Sequence, residues 1–282
     1  MLIFENKESL INFLGPLQNL KKTIGFVPTM GALHDGHLSL IKNSLSKNDI
    51  TVISIFVNPT QFNNAEDLEK YPRTLEADVQ KISKISTQVL IFAPTVSDIY
   101  PEKTSSSNFS FDGLENQMEG KHRPGHFDGV GTIVKKLFEI VKPTIAYFGE
   151  KDFQQLQIVK KLVEKEKMNV EIVGCPIFRE ANGLAMSSRN ERLSENARKK
   201  ASLIYKILQT VQADFEKKSL TELNEFVKKT FSEHPEFSLE YFEIAEESTL
   251  VPALETDKTK KYRAFIAIFI ENIRLIDNIS LN

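Results

Sequence analysis

A single cysteine, Cys175, stands in a chain of 282 residues. That excludes an internal disulfide and any multi-cysteine zinc site, fits a reducing compartment, and makes Cys175 an inert core thiol by expectation. No stretch approaches ~20 consecutive apolar residues, so no membrane span is expected. The first residues carry acids, Glu5 and Glu8, without a basic region followed by an apolar one. No export signal is expected from them, and the expected location is cytoplasmic. Charge of one sign is also lacking: 36 Lys and Arg face 38 Asp and Glu, for a formal net charge of -2. Lysine pairs such as Lys21-Lys22 and Lys260-Lys261 are short enough to be solvated faces, so neither nucleic acid nor membrane is implied as a partner. Internal repeats are missing, and Ser105-Ser106-Ser107 reads as a loop.

What is present is a chain long enough for two domains, with 41% hydrophobic residues. Short β-branched runs at 24–27, 50–57, 89–92, 144–148 and 170–173 alternate with helical patterns at 38–45, 75–85, 129–141 and 153–165. Runs of this kind suit parallel strands buried on both faces. The alternation predicts an α/β fold, a Rossmann-like doubly wound parallel sheet with its ligand site at the carboxyl ends of the strands. It stops near Pro176. A long helix from Ser194, a second through Leu220 to Phe231, and strands at 239–245 and 263–270 predict a smaller α+β domain. The expected division is 1–177, binding the ligands, and 178–282, a lid.

The first alternation carries the most chemistry. Met30-Gly31-Ala32-Leu33-His34-Asp35-Gly36-His37 follows a strand and opens a helix, where free N–H groups and the positive dipole end favour an anion. A phosphate chain suits that place. Alone, His34 and His37 read as surface or packed imidazoles; between a strand and a helix, beside two glycines, they read better as a site.

Four further blocks end a strand or open a helix. Asn58-Pro59-Thr60-Gln61 presents two amides suited to hydroxyl and carboxylate groups, although Asn-Pro also simply makes turns. Lys121 to Phe127 is a cationic segment, either a lid for anions or an exposed basic loop. Gly149-Glu150-Lys151-Asp152 offers a lysine for phosphates and an aspartate for ribose hydroxyls, or an ordinary first-turn ion pair. Ser187-Ser188-Arg189 can grip a departing diphosphate or cap a helix.

Together these blocks, with Tyr71-Pro72-Arg73-Thr74 and Arg179 to Asn190, resemble the pantothenate synthetase family, the pantoate:beta-alanine ligases. The resemblance runs from Gly25 to Leu193 and, more loosely, to Arg274-Leu275-Ile276-Asp277-Asn278. His-x-Gly-His alone indicates only a broader nucleotidyltransferase superfamily. The resemblance implies an enzyme that condenses (R)-pantoate with beta-alanine at the expense of ATP, giving pantothenate, AMP and diphosphate through a pantoyl-adenylate. It implies catalytic roles for His34, His37 and Lys151 and nucleotide contacts from Met30 to His37, Gly149 to Asp152, Phe178, Met186, Ser187, Ser188 and Arg189. Gln61 and Gln155 resemble the amides that hold pantoate, and Asn58 joins them as a substrate-binding candidate.

Mg2+ is expected to bridge the phosphates, with no protein metal ligand named. Phe178 departs from the smaller aliphatic residue expected there. A homodimer built through the first domain is implied, and closure of the second domain on ATP is expected because the clamp follows the joint. Two rivals remain: another His-x-Gly-His nucleotidyltransferase, against which the neutral Gln61 and Gln155 speak, and a catalytically silent nucleotide-binding protein, against which the histidines and the clamp speak.

Overall fold

The computed structural model describes residues 1–62 and 65–282. They form two compact units. The first comprises Met1–Glu115, Glu119–Glu150 and Gln155–Pro176, and the second Asn116–Met118, Lys151–Gln154 and Ile177–Asn282. A division by chain position at residues 177 and 178 misses two short segments, Asn116–Met118 and Lys151–Gln154, that the packing assigns to the second unit. Lys151–Gln154 pack with the C-terminal part of the chain.

In the first unit six strands form one sheet: β1 (Leu2–Phe4), β2 (Ile24–Thr29), β3 (Ile50–Ile55), β4 (Leu90–Phe92), β5 (Ile145–Gly149) and β6 (Glu171–Cys175). Their order is β1-β4-β3-β2-β5-β6, and every pairing is parallel. The strands β2 to β6 fall on the β-branched runs, with ends displaced by one or two residues. β2 buries Ile24, Gly25, Phe26 and Val27 in succession, the pattern of a strand covered on both faces. Gly25 is required there: a Cβ on it would lie 2.1 Å from Ser44 Oγ, on the helix Asp35–Lys47. β1 and the helix Lys7–Asn19 escape the periodic reading, because β1 is three residues long and the helix carries Gly15 and Pro16 inside it. Cys175 is buried and accepts from Asn43 Nδ2 at 3.7 Å, and burial pushes its thiol pKa up, away from thiolate reactivity.

Strand order runs outward from β2 through β3 and β4 on one side and through β5 and β6 on the other. The carboxyl ends of β2, β3 and β5 therefore share one edge at the reversal, where doubly wound sheets bind ligands.

The second unit has a three-stranded antiparallel sheet of β7 (Phe237–Glu246), β8 (Tyr262–Ile270) and β9 (Ile273–Ser280), in the order β7-β8-β9. Glu271 and Asn272, both at positive φ (50° and 62°), make the two-residue turn between β8 and β9. Leu208, Val211, Leu223, Val227, Ile266 and Ile268 are among its core residues. The single long helix expected from Ser194 is two, Glu195–Lys200 and Leu203–Asp214. At the break the amides of Ser202 and Ile204 bond three residues back, and Ser202 Oγ takes the Lys199 carbonyl at 2.8 Å, a local bond that competes with the helix ladder.

Candidate active site

β2 hands the chain to a turn that only a few conformations can make. Gly31 has φ +83° and Ala32 φ +51°, so the backbone passes through the left-handed region just before the histidines. A buried carboxylate holds it there. Asp78, on the helix Leu75–Ser83, accepts from the amides of Ala32 at 2.9 Å and Leu33 at 2.7 Å and from Thr74 Oγ1 at 3.2 Å. One turn later on that helix, Lys81 Nζ donates to the Leu33 carbonyl at 2.5 Å. Both polar groups of Leu33 are thus fixed, and His34 follows as the N-cap of the helix Asp35–Lys47.

His37 lies one turn into that helix. Its Nδ1 accepts the His34 amide at 3.3 Å, and the two rings lie 4.0 Å apart between centroids. An accepting Nδ1 carries no proton, so the neutral ring's N–H sits on Nε2. His37 is a donor at Nε2, at the end of a helix whose first amides and dipole favour negative charge.

At the end of β3, the turn Pro59–Gln61 is braced from several sides. Asn58 is 1% exposed, and its amide is taken up by the protein: Oδ1 accepts from Tyr100 Oη at 2.7 Å and Thr60 Oγ1 at 3.1 Å, and Nδ2 donates to Gly129 O at 3.1 Å and Gln61 Oε1 at 3.2 Å. In this arrangement Asn58 orients Gln61, whose Oε1 takes the Asn58 amide and whose Nε2 meets Met30 Sδ at 3.0 Å. Burial raises the Tyr100 pKa, which keeps the phenol protonated as the donor Asn58 needs. Tyr100→Phe should cost about 1 kcal/mol of stability. It should also loosen Gln61, measured as a rise of a few fold in the KM of whatever Gln61 holds.

The cationic stretch 121–127 is exposed at Lys121, His122, Pro124 and Gly125 and buried at His126 and Phe127. It ends the short helix Met118–His122 and begins the helix His126–Val141. His126 is 6% exposed, and its Nδ1 meets the Gln61 carbonyl at 2.9 Å while Nε2 meets Arg123 Nη1 at 3.2 Å. A carbonyl can only accept, so Nδ1 carries the proton and His126 holds the Gln61 backbone. Gly149 ends β5, Glu150 opens the 3-10 turn Glu150–Asp152, and Gln155, half-buried, lies on the helix Phe153–Lys165.

The second unit carries the other candidates. Phe178 to Met186 is a tight hairpin closed by an Arg179–Ala185 bridge and by Met186 N donating to Phe178 O at 2.9 Å, with Gly183 at φ +92° in its turn. Glu180 takes Arg198 through two bonds, at 2.9 and 3.0 Å, and Asn190 Nδ2 at 2.7 Å, which ties the hairpin to the segment after it. Ser187 caps the 3-10 turn Ser188–Arg192, its Oγ accepting from Arg189 N at 3.3 Å. Phe178 is 41% exposed, a flat apolar surface in the place expected to line a nucleotide. Lys151, Ser187, Arg189, Asn190 and Asp277 line one pocket. Lysine and clamp, 36 residues or more apart in sequence, thus meet within this unit. Lys151 Nζ lies 3.7 Å from Asp152 Oδ1, and its side chain is mostly buried.

Sequence reasoning assigned no role to Asp78, Tyr100 or Asp277, all buried polar residues. For Asp78 a signal existed: it sits four residues before Ile82 on the buried face of its helix, where an unpaired carboxylate would be costly.

The family model for pantoate-beta-alanine ligase matches residues 2–280. The chain belongs to the pantoate-beta-alanine ligase family. A pantothenate synthetase of Flavobacterium psychrophilum is 64% identical over 281 residues, covering 100% of both chains. Among solved structures, the pantothenate synthetase of Thermus thermophilus is 38% identical with a TM-score of 0.91, over 100% of this chain and 99% of that one. The pantoate-beta-alanine ligase of Francisella tularensis, in complex with beta-gamma ATP and beta-alanine, is 40% identical with a TM-score of 0.82, over 100% of this chain and 98% of the other. Pantoate-beta-alanine ligases form a C–N bond, and the expected fold is shown: a parallel six-stranded sheet with helices and a small antiparallel sheet.

Proposed function

We infer that the protein condenses (R)-pantoate with beta-alanine, using ATP and releasing AMP and diphosphate through a pantoyl-adenylate. The observation that carries the inference is the His34–His37 turn at the carboxyl end of β2, with its Nε2 donor, in a chain of this family. Pantoate's carboxylate is ionised at neutral pH, since carboxyl groups titrate near ~4, so attack on the α-phosphate needs no base. The P–O bond to the diphosphate breaks as the new one forms. The need is for fixed donors toward the charge that builds, a role proposed for His34, His37, the Met30–Leu33 turn, Lys151, Ser187, Ser188 and Arg189. The amine of beta-alanine then attacks the acyl carbon and expels AMP. If it titrates like a lysine, near ~10.4, it must first lose a proton, and a solvent path or the adenylate phosphate can take it.

Gly149, Glu150 and Asp152 suit the ribose end of ATP, and Phe178 and Met186 its base. Mg2+ is proposed to enter with ATP and would offset the charge of its phosphates. The proposed setting is a cytoplasmic homodimer; no helix among the described residues is long and apolar enough to cross a membrane.

The test is one assay with ATP, pantoate and beta-alanine in which AMP, diphosphate and pantothenate are read together. ADP and phosphate in their place would overturn the adenylate route. Within the same assay Gln155→Ala should raise the pantoate KM roughly tenfold, as expected for losing one or two hydrogen bonds, with ATP affinity little changed. Loss of ATP binding with pantoate unaffected would show that the amides are assigned to the wrong ligand.

A further inference from the structure

Two consecutive side chains of β9, Asp277 and Asn278, are 4% and 2% exposed. Successive residues of a strand point to opposite faces, so this pair reaches in two directions from one short stretch of backbone. Asp277 meets Arg179 at the base of the hairpin: Nη1 donates to Oδ2 at 2.7 Å and Nη2 to Oδ1 at 3.0 Å, a planar fork on a carboxylate. Arg179 also donates to Gly183 O at 3.1 Å and Asn278 O at 3.3 Å and lies over the Tyr205 ring at 3.7 Å, so both terminal nitrogens and one face of the guanidinium are engaged. Asn278 turns the other way. Its Nδ2 donates to the Lys151 carbonyl at 2.9 Å, and its Oδ1 accepts from Arg263 Nη1 at 2.7 Å. Arg263 is itself held by Glu247 at 2.8 Å and by the face of Phe153 at 4.0 Å.

We propose that Asp277 and Asn278 are positioning residues that tie the Lys151 turn and the Phe178–Arg189 segment to one strand, setting the spacing of the two cations that grip the phosphates. The proposal rests on the reading of Lys151 and Arg189 as nucleotide contacts. Lysine and arginine stems are long and lose much rotamer freedom on binding, so a fixed backbone origin is what makes two such groups converge on one phosphate chain. A core filler would not require this chemistry. Asn278 supplies a donor to one carbonyl and an acceptor to one guanidinium, and Asp277 supplies both oxygens of a fork. A hydrophobic pair on β9 would leave the Lys151 carbonyl and Arg179 without these bonds.

The decisive variant is Asn278→Asp, which keeps size and the acceptor for Arg263 but turns an oxygen toward the Lys151 carbonyl. In the purified full chain, the ATP KM and the inhibition constant of inorganic diphosphate should both rise roughly tenfold, the effect of losing about one well-placed hydrogen bond. The KM values for pantoate and beta-alanine and inhibition by adenosine should stay within about twofold. Asn278→Ala is read the same way, and serves if the aspartate variant does not fold. Unchanged diphosphate inhibition with a lowered melting temperature would make the pair merely structural and overturn the proposal. So would an equal loss for every substrate. Wild type run alongside separates the two readings: no pantothenate from wild type sinks the proposed function, whereas an active wild type with indifferent variants sinks only this inference.

Discussion

His37→Ala should slow adenylate formation by ~10²–10³ while ATP affinity falls only a few fold, because the donor it removes matters most as charge moves onto the phosphates. The geometry narrows which atom is lost. Nδ1 of His37 accepts from the His34 amide, so the neutral ring carries its N–H on Nε2, and the ring sits at the start of the helix Asp35–Lys47. Alanine takes away two things: the Nε2 donor and the acceptor for a backbone amide at the N-cap. The second loss affects the turn, the first the reaction. Single-turnover formation of the adenylate, set against an ATP titration, separates them. Equal losses in both would move His37 from the transition state to ordinary binding.

The segment that bears His37 was readable because everything that shapes it is local. An apolar run makes the strand, Gly31 permits the turn at φ +83°, and a helical pattern follows at once. The same holds for Lys151 after β5 and for the serines of the clamp, where one serine proves to be a cap. What could not be read is the set of braces, whose partners are remote in sequence. Asp78 meets Leu33 across 45 positions, Tyr100 meets Asn58 across 42, His126 meets Gln61 across 65, Asp277 meets Arg179 across 98 and Asn278 meets Lys151 across 127.

A polar residue inside an apolar pattern shows that a partner must exist, and not which one. β9 illustrates the cost to the fold reading. Its Ile273, Leu275 and Asp277 are buried, so a charged residue occupies an inward position and hides the alternation. The braces also alter the reading of neighbours: Asn58, a plausible ligand beside Gln61, is engaged on both ends of its amide by Tyr100, Thr60, Gly129 and Gln61 itself. The long helix from Ser194 fails for a related reason, since the hydroxyl of Ser202 diverts a carbonyl that the helix pattern would have used.

Among these braces Asp78 carries the largest expected effect on the architecture of the site. Its carboxylate is fully buried and accepts two backbone amides, those of Ala32 and Leu33, at the point where Ala32 adopts φ +51°. A non-glycine residue in that region is held against its own preference, at a cost of roughly 1–3 kcal/mol, so the turn persists only while its surroundings compel it. Asp78→Ala removes the acceptors and leaves the amides to seek others. With each abandoned buried donor costing about 1–3 kcal/mol, and with Ala32 half-buried and open to some rescue by water, the expected loss is roughly 2–4 kcal/mol. Asp78→Asn keeps the shape and one acceptor oxygen but sets an amide hydrogen against a backbone N–H, so it should fall between alanine and wild type. The turn then relaxes away from the left-handed region, and His34 and His37 lose the entry angle that aims them. Denaturant unfolding and ATP titration on the same samples should therefore move together, in the order wild type, asparagine, alanine. An alanine variant as stable as wild type, binding ATP equally well, would mean that Gly31 and the helix start hold the turn without the carboxylate.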